Sequence, residues 1–397
     1  MLDLLHIAAL RHGVSGDPKS PAAANYDEAK AGPSSPLPDP LKLKDGAAVT
    51  SADIWWRQRR QEIADDYETE VYGHMPSGVP LPTWTVLAKA AERVGGVAAL
   101  TRHLIGRAAK AGASVDIRLT ITLPAGAKKP VPVILLLAPD PAKLHVSSAW
   151  RELVLKKGWG AAELDVYSVQ PDSGADLANG IIGLVAGGKP REPGDWGALR
   201  AWAWGASRAM DYFESDLAID SGRVGIAGHS RFGKAALVAM AYDPRYVVAF
   251  VSSSGAGGAA PLRRNFGERI ENLAAASEYH WFAGNFLKYA GPLTADDLPV
   301  DSHELIALCA PRPVFMGAGL TGDGWVDARG MFLAQVAAGP VYRLLGARGL
   351  GTATMPPVGT ASTDGALAFR QHAGGHTPEP NWPFFLAFAR RYLDRPR

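Results

Sequence analysis

The sequence predicts an α/β fold, a three-layer α-β-α sandwich around a mostly parallel central sheet. Three observations point there. Short β-type runs recur along the chain, and helix-type stretches separate most of them. One of the β runs, VPVILLLA at 131–138, is apolar throughout, as suits a strand covered on both faces. Strands that alternate with helices need crossover connections, and crossovers give parallel pairing.

The elements follow in order. Residues 14–46 are rich in Pro, Ser, Gly and Asp and read as an extended surface arm, so 1–50 are set apart from the rest. From Ser51 to Tyr72 the apolar residues Ile54, Ile63, Tyr67 and Val71 keep helical spacing, with Ser51 or Asp53 able to cap. DIRLTITL at 116–123 alternates polar and apolar residues, a strand with one wet face. AAELDVYS at 161–168 is a weaker strand, followed by RVGIAG at 223–228, VVAFVSS at 247–253, RPVFMGAG at 312–319 and LAFRQHAG at 367–374. Helices are expected at Trp196–Phe213, Arg231–Tyr242, Val326–Val336 and Trp382–Leu393. Residues 261–303 form a cap-like insertion with its own helical pattern, NFGERIENLAAASEYHWFAGNF. No repeat and no linker separates two cores, so 51–397 read as a single domain.

Composition narrows the function classes. With 397 residues, 47% of them hydrophobic and 20% charged, the chain is an ordinary globular one that can bury a large core. A net charge of +2 without a basic run gives no reason to expect a nucleic-acid partner. Cys309 is the only cysteine, which leaves no intrachain disulfide and no thiolate metal cluster. No run reaches the roughly 18 consecutive apolar residues of a membrane span, so no membrane partner is expected. The opening MLDLLHIAALRHG, with Asp3 early and a short apolar run, is a poor signal peptide.

The chemistry concentrates in GIAGHSRFGKAAL, residues 225–237. A strand that runs through Gly228-x-Ser230 into a helix would expose the Ser230 hydroxyl at the carboxyl end of a central strand. The first N–H groups of that helix lack intrahelical acceptors and could stabilise an oxyanion. The plainer reading makes Gly-His-Ser a tight turn and Ser230 a helix cap. The usual elbow, G-x-S-x-G, has its second glycine one place earlier than Gly233.

A nucleophilic serine needs a base and an acid, and in α/β-hydrolases the chain order is serine, acid, histidine. His376, in the glycine-rich loop GGHTPEPNWP after the last strand, stands where the base belongs. His372 is the rival, but it falls inside the strand pattern. Asp323, just past RPVFMGAG, is the favoured acid; Asp327 is the alternative and would sit in the first turn of the next helix.

These residues carry a resemblance. GHSRFGKAAL, SGAGGAAPLRRNFGE and GGHTPEPNWPFFLAFARRYL resemble the bacterial glucuronoyl esterases, carbohydrate esterase family 15. The likeness extends to the arm (AANYDEAKA, PLPDPLKL), to DWGALRAWAWGASRAMDY and to APRPVFMGAGLTGDGWVDARGMF. It implies an α/β-hydrolase fold with Ser230 as nucleophile, His376 as base and Arg231 contributing to the oxyanion hole. It also implies that Lys234, Glu268 and Trp325 bind the uronate ring. A lysine and a carboxylate can pair with sugar hydroxyls, and an aromatic ring can cover an apolar sugar face. Taken singly, these three would be a solvated lysine, a helix carboxylate and a core tryptophan.

One departure stands out. Many members carry the triad acid as a glutamate before the SGxGG run, and here that place is Ser253. Some bacterial members use an aspartate after the later strand instead, which Asp323 fits. The fungal disulfide beside the site is absent, given the single Cys309. The resemblance implies a serine esterase acting on esters of (4-O-methyl-)glucuronic acid, as in the links between xylan and lignin, with no metal or organic cofactor. It further implies a secreted or periplasmic monomer. The alternatives are an esterase with another acyl preference, or a weakened homologue that only binds acidic glycans; an Asp323–His376 hydrogen bond would argue against the latter.

Overall fold

A computed structural model describes residues 1–32, 35–140 and 148–394. Arm positions 33 and 34 and the last three residues of the expected domain, 395–397, lie outside the described residues.

Ten strands form a mixed sheet in the order β1-β2-β3-β5-β4-β6-β7-β8-β10-β9. They are β1 (Thr83–Val94), β2 (Val97–Lys110), β3 (Ala113–Pro124), β4 (Val131–Ala138), β5 (Gly160–Asp165), β6 (Ile219–His229), β7 (Tyr246–Ser252), β8 (Val314–Ala318), β9 (Ala361–Ser362) and β10 (Leu367–Gln371). From β5 through β4, β6, β7 and β8 to β10 every pairing is parallel. The remaining pairings, β1 with β2, β2 with β3, β3 with β5 and β9 with β10, are antiparallel.

The parallel part is covered on both faces, which is why its strands are apolar throughout. In β4, Val133, Leu135 and Leu137 point into one core, with the helices Ala198–Ser215 and Arg231–Tyr242, while Ile134 and Leu136 point into the other, with Ala149–Leu155 and Trp382–Leu393. β7 splits the same way, with Ala249 and Val251 on one side and Val248 and Phe250 on the other. The result is helices, sheet, helices.

The helix Arg231–Tyr242 is buried on nearly all sides, between the sheet and the helices Ala198–Ser215 and Ser302–Cys309. A run of small residues, Ala235, Ala236, Ala239 and Ala241, lets neighbours approach from every direction.

Besides short elements the sequence reading did not include, such as Ala149–Leu155 and Ser302–Cys309, the structure departs from it most in three places. β1 and β2 form a long antiparallel hairpin ahead of the first expected strand. The helix expected at Val326–Val336 runs from Ala328 to Leu344, with Pro340 inside it. The insertion at 261–303 is not helical as its pattern suggested. It holds one four-residue helix, Ile270–Leu273, and short 3₁₀ turns at Tyr279–Trp281, Gly284–Ala290 and Ala295–Asp297. Contacts from the N-terminal arm set its path. Arg11 donates to the carbonyls of Tyr289 and Leu293 and pairs with Glu271, Arg264 reaches Glu28 and the carbonyl of Ala31, and Gly267 N donates to Asn25 O.

Candidate active site

Ser230 is the single residue between β6 and the helix Arg231–Tyr242. Its backbone has φ 58° and ψ −129°, in a region that L residues rarely occupy. Neighbouring hydrogen bonds hold it there: Ser230 N donates to Ser252 O at 2.8 Å, and Lys234 N donates to Ser230 O at 3.1 Å. The turn requires both flanking glycines. A Cβ on Gly228 would stand 2.1 Å from Phe232 O, and one on Gly233 would stand 2.8 Å from Ser252 O. The displaced second glycine is therefore a close-approach position, where the helix lies against the end of β7. The Ser230 side chain makes no capping hydrogen bond, so its hydroxyl is not spent as an N-cap.

His376 sits in the loop after β10, with its side chain 42% exposed. Its Nδ1 lies 2.6 Å from Asp323 Oδ1. Asp323 follows β8 and is almost fully buried. Its other oxygen, Oδ2, accepts from Ser253 Oγ at 2.7 Å and from Gly319 N at 2.6 Å. Burial alone would raise the pKa of this carboxyl. The hydrogen bonds from His376, Ser253 and Gly319 outweigh it and hold Asp323 below the usual carboxylate range. Ser253 thus supports the Asp323 carboxylate.

Asp327 and His372 have other partners. Asp327 caps the helix Ala328–Leu344 by accepting from Gly330 N, and it pairs with Arg264 at 2.8 Å. His372 fastens the loop that carries His376: its Nε2 lies 3.0 Å from Thr377 O, and its Nδ1 accepts from Gly374 N.

His229 precedes Ser230, and its ring packs on His376 with centroids 4.3 Å apart. Burial and the neighbouring His376 push its pKa down to about 3, so it stays neutral near pH 7. The contact brings the His376 imidazole beside the residue that leads into the elbow.

Lys234, Glu268 and Trp325 come together. Lys234 is buried, and its Nζ donates to Ser254 O at 2.7 Å, Ala256 O at 2.5 Å and Glu268 Oε2 at 3.0 Å. Trp325 Nε1 donates to the other oxygen, Glu268 Oε1, at 3.0 Å. Glu268 N also donates to Trp325 O, which ties the insertion to the loop after β8. Lys234 is thus no solvated surface lysine and Trp325, half-buried, no core residue.

Three residues of the site escaped the sequence reading. Asp172, in the loop beyond β5, pairs with Arg231 Nη1 at 2.7 Å. Trp281 lies under both cations, with its ring centroid 5.0 Å from Arg231 Cζ and 5.8 Å from Lys234 Nζ. Glu278, a short way before it, has an Oε2 that is buried with no hydrogen-bond partner among the described residues. Burial and the charge of Glu268 push its pKa up to about 7, against the pull of Lys234 and Arg231. The only sequence signal for Asp172 was an acidic residue in a loop past a strand. Glu278 and Trp281 lay in a segment read as helix.

The chain has counterparts among known proteins in sequence and in fold. The family described as glucuronyl esterase, fungi, matches residues 107–346. A carbohydrate esterase from an unknown prokaryotic organism is 35% identical, over 94% of this chain and 93% of its own. A 4-O-methyl-glucuronoyl methylesterase from Wolfiporia cocos is 31% identical, over 78% of this chain and 72% of its own. The solved structure of a CE15 glucuronoyl esterase from Teredinibacter turnerae superposes with a TM-score of 0.94 at 45% identity, covering 98% of this chain and 97% of that one. With a match of that extent in both sequence and fold, the chain belongs to the glucuronoyl esterases of carbohydrate esterase family 15 and is a carboxylic ester hydrolase on the α/β-hydrolase fold.

Proposed function

We propose that the protein hydrolyses esters of (4-O-methyl-)D-glucuronic acid, such as the links between xylan side chains and lignin alcohols, with Ser230, His376 and Asp323 as its triad. The observation that carries this reading is the hydrogen-bonded run Lys234–Glu268–Trp325, which begins one helical turn from Ser230. It offers a charged acceptor and an aromatic face, and Lys234 becomes the charged donor by exchanging one of its three internal hydrogen bonds for a hydroxyl of a ring beside the ester carbonyl.

In this mechanism His376 takes the proton of the Ser230 hydroxyl as Oγ attacks the ester carbon. Asp323 accepts from Nδ1, so the base nitrogen is Nε2, and the ionised carboxylate stabilises the imidazolium. The first N–H groups of the helix Arg231–Tyr242 and the Arg231 guanidinium meet the charge that develops on the carbonyl oxygen. His376 then protonates the departing alcohol. Water, activated by the same histidine, cleaves the glucuronoyl-serine ester and releases the acid.

The Asp323–His376 hydrogen bond favours a working acid-base pair over a catalytically weakened binding protein. A polymeric substrate outside the cell implies secretion, and we take the chain to act as a monomer, with residues 51–397 as one catalytic domain braced by the arm. Ser230→Ala tests the nucleophile: hydrolysis of benzyl glucuronate should fall to the background rate while the substrate still binds. Turnover above background in that variant would remove the covalent mechanism.

A further inference from the structure

Arg231 has its side chain 41% exposed and, by the reading above, must already be aimed before the ester arrives. An unanchored guanidinium would have to be ordered during the reaction, and that cost would be added to the barrier. Asp172 supplies an anchor. Its Oδ2 accepts from Arg231 Nη1 at 2.7 Å and Tyr167 OH at 2.9 Å, and its Oδ1 from His280 Nε2 at 2.9 Å and Trp281 Nε1 at 2.6 Å. An ionised carboxylate offers about four acceptor sites, and here all are filled by donors from three segments of chain. His280 and Trp281 are buried. Asp172 is held well below the usual carboxylate range, since burial is outweighed by hydrogen bonds from His280 and Trp281 and by the charge of Arg231.

The same carboxylate also fixes the surface on which Arg231 rests. Trp281 is held by its Nε1, and its ring lies under the guanidinium. Among the described residues no other group accepts a hydrogen bond from Arg231, so Nε and Nη2 stay available to a substrate oxygen. We propose that Asp172 is a positioning residue that aims Arg231 at the carbonyl oxygen of the reacting ester, by gripping one end of the guanidinium and the Trp281 ring beneath it. The inference rests on the reading of Arg231 as an oxyanion donor. It predicts that Asp172 acts on the chemical step rather than on sugar binding.

The test is a double-mutant cycle on benzyl glucuronate with Asp172→Asn, Arg231→Ala and the pair. Asp172→Asn keeps the size but removes the charge and turns an NH2 against a donor. The expected result is a loss of about 10- to 100-fold in kcat with KM within about threefold, and a further loss below about twofold when Arg231 is already Ala. Should Asp172→Asn fold poorly, Tyr167→Phe removes one brace and leaves the ion pair. It should cost a few-fold in kcat, and only while Arg231 is present. An equal loss in both backgrounds, a loss confined to KM, or an unchanged kcat would overturn the proposal. Wild-type kcat in Arg231→Ala would overturn the oxyanion reading and this inference with it. A slow Arg231→Ala beside an unimpaired Asp172→Asn would overturn the inference alone.

Discussion

Asp323 orients His376 through one oxygen and is itself held through the other. Asp323→Asn keeps the shape but lets the amide present either a donor or an acceptor to Nδ1, so the correct tautomer is no longer enforced. We expect kcat to fall by about 10²–10⁴-fold, read in steady-state kinetics on a glucuronate ester. A near-normal rate would move the role to another carboxylate. Glu278 gives a pH signature. Its folded-state pKa of about 7 stands above the ordinary 4.5, so the folded chain holds that proton more tightly than the unfolded one. Its stabilising contribution is complete below about pH 4.5 and is lost as pH rises through about 7. Urea midpoints measured from pH 5 to 8 should therefore decline less steeply in Glu278→Gln than in the wild type; identical slopes would place the proton elsewhere. Ser230, Arg231 and Lys234 lie within one short motif, so that they stand close together could be read from the sequence. What distinguishes Asp172 and Glu278 is burial, and for Asp172 also the convergence of partners distant in sequence, neither of which a sequence shows.

Among the elements, the helix Arg231–Tyr242 carries the site, and its position depends on how closely it approaches β7. Gly233→Ala would push a methyl group against the Ser252 carbonyl, a backbone atom that cannot swing away. The expected outcome is a stability loss of about 1–3 kcal/mol in denaturant unfolding, with a drop in kcat as Ser230 shifts. A neutral result would mean that the helix has room to move. This helix and Trp382–Leu393 were readable to their ends, because breakers or a loop bound a dense apolar run on each side. The helix Ala328–Leu344 was cut short in the reading at Val336, before Gly339 and Pro340, residues that usually end a helix and here lie within one. The insertion failed in the other sense. Its helical spacing is real, but it follows an irregular path along the arm, where Asn25 Nδ2 donates to Asn265 O and Arg11 and Glu28 pair with Glu271 and Arg264.

For the molecule as a whole, the parallel half of the sheet was visible in sequence because burial on both faces leaves a continuous apolar run. The β1–β2 hairpin was not. Its first strand is exposed along most of its length, so it shows neither an apolar run nor clean alternation. The Gly95–Gly96 turn, with φ 53° and 86°, was the one local sign of it. By the proposed reading, the fold sets two devices around one serine: an acid-base pair from the loops after β8 and β10, and a sugar-recognising run reaching from the elbow helix into the insertion. That pairing is the central claim. The measurement that tests it most directly compares kcat/KM for benzyl glucuronate and for p-nitrophenyl acetate in the wild type and in Lys234→Ala. The account predicts a strong wild-type preference for the glucuronate and a loss in Lys234→Ala of about 100-fold or more on that ester, against less than about tenfold on the acetate, since Lys234 Nζ meets the sugar and not the acyl carbon. Equal losses on both substrates, or a wild-type enzyme that does not prefer the glucuronate, would contradict it.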